Sequence, residues 1–160
     1  MTTRPVQFTS PTQGELIDLV GDRYRLLADS TMTDGRYMIV EAHVPPGGGP
    51  PPHVHSREEE GFYIIQGEMT FYTDEKSIKA TAGSFINLPV GLAHWFRNES
   101  DRPVKMLILT SPGGMENMFR KAGRIAADAT SPISPFGDDE KRQLVLTAAE
   151  HGIEIRVPTP

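Results

Sequence analysis

Two histidines one residue apart, set between a rigid Gly/Pro run and an apolar stretch, do most to limit what this chain can become: GGGPPPHVHSREEEGFYIIQGE, residues 47–68. In an extended strand, residues i and i+2 point to the same face, so His53 and His55 can present their imidazoles to one point. That spacing lets two ring nitrogens approach a cation about 2 Å away. Pro50, Pro51 and Pro52 stiffen the approach, and Gly47 to Gly49 let the backbone turn tightly before it. Taken alone, the pair also fits a polar surface loop.

A carboxylate follows at Glu58, Glu59 or Glu60. Alternation through EGFYIIQG places Glu60 on one face with Phe62 and Ile64. An acid on that face is costly to bury unless it is paired or bound to a cation. Glu58 and Glu59 suit the turn, facing water, so Glu60 is preferred and Glu59 comes second. A third histidine, His94, opens a strand in GSFINLPVGLAHWFRN after a turn built by Pro89 and Gly91. It shares a face with Phe96. The remaining histidines are expected to be structural: His43 has no partner nearby, and His151 ends a helix where a cation suits the dipole.

Around these residues the chain reads as β. Runs at 22–28, 36–44, 61–66, 68–73, 76–81, 84–88, 93–98 and 104–110 each have strand character, separated by turn residues such as TDG, TDEK, AG and PVG. Many short strands without intervening helices predict an all-β sandwich or barrel. After SPGG (111–114) the period changes. MENMFRKAGRIA predicts a short amphipathic helix, with Met115, Met118 and Phe119 either packing it on the sheet, the preferred reading, or roofing the mouth of the β core. A Pro-rich loop leads to a second helix from about Asp138, stopped at Gly152, and IEIRV is a candidate last strand. Residues 1–112 therefore read as the β core and 113–160 as a helical extension of the same domain.

Composition removes alternatives. A chain of 160 residues is long enough for one domain with a real core, and its lack of cysteine rules out thiolate ligands and a cysteine nucleophile. A net charge of −5 argues against nucleic acid or an anionic membrane as the main partner. No apolar run approaches spanning length and the N-terminus lacks a signal-peptide core, so a soluble cytoplasmic protein is expected. No glycine fingerprint for nicotinamide or flavin is present.

The spacing of these residues resembles that of the cupins. Gly47, His53, His55, Glu60 and Gly67 fill the first cupin motif, G-x5-H-x-H-x3–4-E-x6-G, and Gly83, Pro89, Gly91, His94 and Asn98 fill the second, G-x5-P-x-G-x2-H-x3-N. The 15 residues between Gly67 and Gly83 are the short intermotif region of bacterial members. The resemblance implies a small antiparallel jelly-roll (double-stranded β-helix) barrel. It also implies that His53, His55, Glu60 and His94 converge on one divalent transition metal: iron, manganese, nickel, cobalt, copper or zinc. The C-terminal stretch is similar to the monocupins described as quercetin dioxygenase-like.

That likeness implies a metal-dependent dioxygenase acting with O2 on a flavonol-like or other enolisable aromatic molecule, with Glu60 as both ligand and base. An isomerase or cyclase using the metal as a Lewis acid, and a non-catalytic small-molecule binder, are the alternatives. By alternation the substrate pocket is expected to be lined by Phe62, Ile64, Phe85 and Phe96 and, less securely, by Met38, Met106 or Ile108. Cupins commonly associate as dimers, and the β-like run 6–28 is the candidate contact.

Overall fold

The computed structural model describes residues 3–156. Its strands are β1 (Leu16–Leu19), β2 (Asp22–Ala28), β3 (Met38–Val44), β4 (His53–His55), β5 (Glu59–Gln66), β6 (Glu68–Thr73), β7 (Ser77–Thr81), β8 (Phe85–Leu88), β9 (His94–Arg97), β10 (Val104–Ser111), β11 (Arg124–Ile125) and β12 (Ile153–Ile155). Three helices accompany them: α1 (Ser30–Thr33), α2 (Met115–Ala122) and α3 (Asp138–Glu150). The β-branched and aromatic runs of the sequence became strands almost residue for residue.

The strands form two antiparallel sheets, one in the order β11-β1-β2-β3-β10-β5-β8 and one in the order β12-β4-β9-β6-β7. This is the jelly roll the sequence predicts, with one correction: the ladders make two facing sheets and do not close into a barrel. Strict alternation drives the arrangement. Along β3 every second residue, Met38, Val40, Ala42 and Val44, is buried, and along β10 so are Val104, Met106, Ile108 and Thr110. Phe62 from one sheet meets Phe71 and Phe96 from the other, with ring centroids 5.0 and 5.9 Å away. Such edge-to-face contacts pack the core between the sheets.

The helices cap one end. α2 begins after Gly114, buries Met115, Met118, Phe119 and Ala122, and lies against β1. α3 starts at Gly137 with Glu140 reaching back to the Gly137 N–H, carries three acids in its first turn, and buries only Leu144, Thr147 and Ala148. β12 then pairs with β4, which ties the C-terminal segment to the strand that carries His53 and His55. Among the described residues no regular structure precedes Leu16, so the strand character of residues 6–28 is confined to β1 and β2. Val157, the end of the candidate last strand, lies outside the described residues, as do residues 1–2 and 158–160.

Candidate metal centre

His53 and His55 both face inward from β4, and His94, opposite His53 in the register, faces inward from β9. Glu60 reaches the same point from β5 in the other sheet. One ligand atom from each of the four lies within 4.8 Å of the others. The Nε2 atoms of His94, His55 and His53 stand 2.7, 3.3 and 4.0 Å from Glu60 Oε2.

The outer nitrogens explain why the rings point this way. Nδ1 of His53 donates to the Pro51 carbonyl at 2.8 Å, and Nδ1 of His94 donates to the Leu92 carbonyl at 2.9 Å. Nδ1 of His55 faces the Glu58 carboxylate at 3.3 Å. Each outer contact turns Nε2 toward the centre, which is how metal-binding histidines are held, and that of His94 is hydrogen-bonded to Glu60 Oε2 at 2.7 Å. Although His55 Nε2 is 3.3 Å from Glu60, the two are not aligned for a hydrogen bond, and this buried nitrogen has no partner. Three imidazoles and one carboxylate around an unpartnered nitrogen fit a divalent transition metal, and the absence of thiolate leaves its identity open.

Without a metal the cluster is held by internal charge. Burial opposes ionisation of Glu60, but the nearby charge of His55 and the hydrogen bond with His94, with help from His53, hold its carboxyl well below the usual range. Burial also opposes charge on His55, yet Glu60 and Glu58 outweigh it and take that imidazole up to about 9. Burial dominates at His53 and pulls it down to about 4. These opposing shifts pair the Glu60 charge with that of His55.

The site opens into a small cavity of about 70 Å³. Its apolar wall combines strand residues, Phe96, Ile108 and Ile153 among them, with Met115, Met118 and Phe119 of α2 and Leu144 and Ala148 of α3. The helical cap therefore does more than pack on the sheet: it forms part of the cavity wall. Of the expected pocket residues, Phe96 and Ile108 line the cavity. Phe62, Ile64, Met38 and Met106 are buried in the packed core beyond its wall.

Phe85 is a clear correction: it is 64% exposed. The β5–β8 register pairs it with outward-facing Tyr63, and its ring lies over Gly61 on the outer face. It shares parity with Asn87, whose amide binds the exposed Glu59. Glu58 is the other correction, for it does not face water but is 3% exposed beneath His55. His43 bonds Glu41 at 3.0 Å and His151 Nδ1 donates to the Thr147 carbonyl, both away from the site. Tyr24 and Asp22 went unnoticed in the sequence although their parity with buried Leu26 places both on the inner face of β2.

A two-sheet jelly roll with three histidines and a glutamate gathered between its sheets defines a class of candidate metalloprotein. Residues 40–110 match the Cupin domain family model, and the chain belongs to the cupin superfamily. It is 34% identical over 106 residues to the quercetin 2,3-dioxygenase of Bacillus subtilis (strain 168), a match covering 66% of this chain and 31% of that protein. Among solved structures it is similar to an RmlC-like cupin from Shewanella frigidimarina, with a TM-score of 0.61, 20% identity, and coverage of 71% of this chain and 96% of that one. KdgF from Halomonas sp. gives the same TM-score at 17% identity, covering 71% and 99%. The structural likenesses show the fold.

Proposed function

We propose that this chain is a metal-dependent dioxygenase that acts on a flavonol-like or other enolisable aromatic small molecule. The observation that carries the reading is the convergence of His53, His55, Glu60 and His94, the first three of which line a cavity whose wall is otherwise apolar apart from Tyr24. The relative named quercetin 2,3-dioxygenase supports the reaction class, although this chain spans about a third of its length.

His53, His55, His94 and Glu60 would hold the ion. A bound transition metal supplies Lewis acidity and, where redox-active, a place for substrate and O2 to meet. In this reading Glu60, besides serving as a ligand, is the base that takes the proton of a substrate hydroxyl. The apolar wall from β9, β10, α2 and α3 would orient a flat ring and exclude water. A cavity of about 70 Å³ accommodates a few water molecules, so a multi-ring substrate enters by displacing the cap. α3 is the element suited to move, since only three of its residues are buried.

In this reading residues 1–112 and the extension 113–160 act as one domain, because the extension completes the cavity wall. No helix among the described residues is long and apolar enough to cross a membrane. We place the protein in the cytoplasm as a homodimer with small-molecule substrate and O2 as its partners, and with neither nucleic acid nor membrane.

O2 uptake with a flavonol, measured after reconstitution with each candidate metal, tests the reaction. Metal-dependent uptake supports the dioxygenase. Rearranged product without O2 consumption points to an isomerase or cyclase, and bound ligand without product points to a binding module.

A further inference from the structure

Tyr24 is the only polar side chain among the cavity-lining residues outside the four candidate ligands. It stands on the inner face of β2, opposite Ala42, whose small side chain leaves room for the ring. Phe119 of the cap packs on it with ring centroids 4.9 Å apart. The hydroxyl donates to Asp22 Oδ2 at 3.2 Å, a long bond. Burial, reinforced by the neighbouring Asp22 and, to a lesser degree, by the Glu60 charge, raises the phenol well above its usual range, so Tyr24 stays a neutral hydroxyl.

Asp22 is an unusual partner. It is fully buried, and its Oδ1 has no hydrogen-bond partner. It lies beneath the glycine turn, where a Cβ on Gly48 would come within 2.4 Å of Oδ1. Burial holds its carboxyl up at about 8, against hydrogen bonds from Tyr24 and the Gly49 N–H. A stability role alone does not explain the pair, because an apolar pair of the same shape would fill this space without a desolvation cost. Its position does: Gly49 leads directly into Pro50 and Pro51, which share the cavity wall with Tyr24 and His53.

We propose that the Tyr24 hydroxyl is a second anchoring point for the ligand, binding a hydroxyl or carbonyl oxygen of a flat, otherwise apolar molecule whose other oxygens face the His53, His55, Glu60 and His94 cluster. Asp22 is a positioning residue that holds the Tyr24 hydroxyl in place without adding a fixed charge to an apolar cavity. Since it can give or take a proton at Oδ2, Tyr24 can accept a hydrogen bond from a ligand hydroxyl or donate one to a ligand carbonyl. The subsite deepens the proposed function and rests on it: it selects oxygenated rings over plain hydrocarbons, and the metal cluster alone does not supply that selection.

The test uses the metal-loaded full chain with 3-hydroxyflavone as probe, binding followed by the probe's optical spectrum and metal counted per chain. Tyr24→Phe removes the hydroxyl and keeps the ring packed on Phe119. The expected result is unchanged metal content with flavonol affinity reduced about tenfold, the loss of one well-placed hydrogen bond. Asp22→Asn, which can still bond the hydroxyl, keeps most of the affinity, whereas Asp22→Leu loses as much as Tyr24→Phe. Equal affinity in wild type and Tyr24→Phe at equal metal content overturns the subsite and leaves the dioxygenase reading intact. A metal-loaded wild type that does not bind the flavonol overturns both.

Discussion

Glu58 Oε2 lies 3.3 Å from Nδ1 of His55, and the carboxylate is buried with it. The other two histidines lean on backbone carbonyls, so His55 alone has a charged partner behind it. A carboxylate there fixes the tautomer and makes the ring a stronger donor at Nε2. His55 is therefore the imidazole on which the site depends most.

Glu58→Gln keeps the shape of the side chain and removes the charge. Metal affinity is expected to fall about tenfold or more with the fold unchanged, as replacing outer partners of ligating histidines does elsewhere. Competition titration against a chelator measures it. An unchanged affinity would show that Glu58 only fills space.

Metal uptake should release protons. In the metal-free site His55 holds its proton up to about 9, and a ligating imidazole must be neutral. Loading at pH 7 then releases close to one proton per metal ion, and affinity rises as pH rises toward 9. Titration calorimetry in buffers of different ionisation enthalpy reads the proton count directly. A count near zero would contradict the Glu60–His55 ion pair.

Asp22 should cost stability as pH rises. Its folded value of about 8 exceeds the ordinary 3.8, so the unfolded chain loses this proton first. Between those values the native state binds more protons, and stability falls with rising pH. Asp22→Asn removes that dependence, and its advantage over wild type should grow from pH 4 to pH 8 by up to about 5 kcal/mol. Urea unfolding across that range checks the trend, and parallel curves would contradict it.

Gly49 has a φ of 133°, and a Cβ there would sit 2.0 Å from the Phe96 carbonyl oxygen. Gly49→Ala is expected to destabilise by about 3 kcal/mol or more, combining a left-handed backbone with a clash against a strand. Because Gly49 leads into the strand of His53 and His55, metal binding should weaken in parallel. Thermal unfolding of the metal-free variant separates the two effects.

The four candidate ligands were legible because both motifs place them on short strands whose alternation sets the facing. Strand positions were legible for the same reason, as β2 and β6 show residue for residue. Glu58 was not, because β4 ends at His55 and the chain bends before β5, so parity is lost across residues 56–58. Phe85 was misplaced because alternation within a four-residue strand does not say which parity faces inward, and the register pairs Phe85 with outward-facing Tyr63. Whether the sheets close depends on long-range pairing, which no local pattern encodes. The roofing of the cavity by α2 and α3 likewise depends on where the Pro-rich loop returns the chain.

Elemental analysis of the purified chain and of His94→Ala, each loaded with divalent metal and freed of excess, tests the central claim most directly. The account predicts close to one ion per chain in the wild type and a large loss in His94→Ala, with the same circular dichroism spectrum for both. No metal in the wild type under any loading, or full metal in His94→Ala, would contradict it.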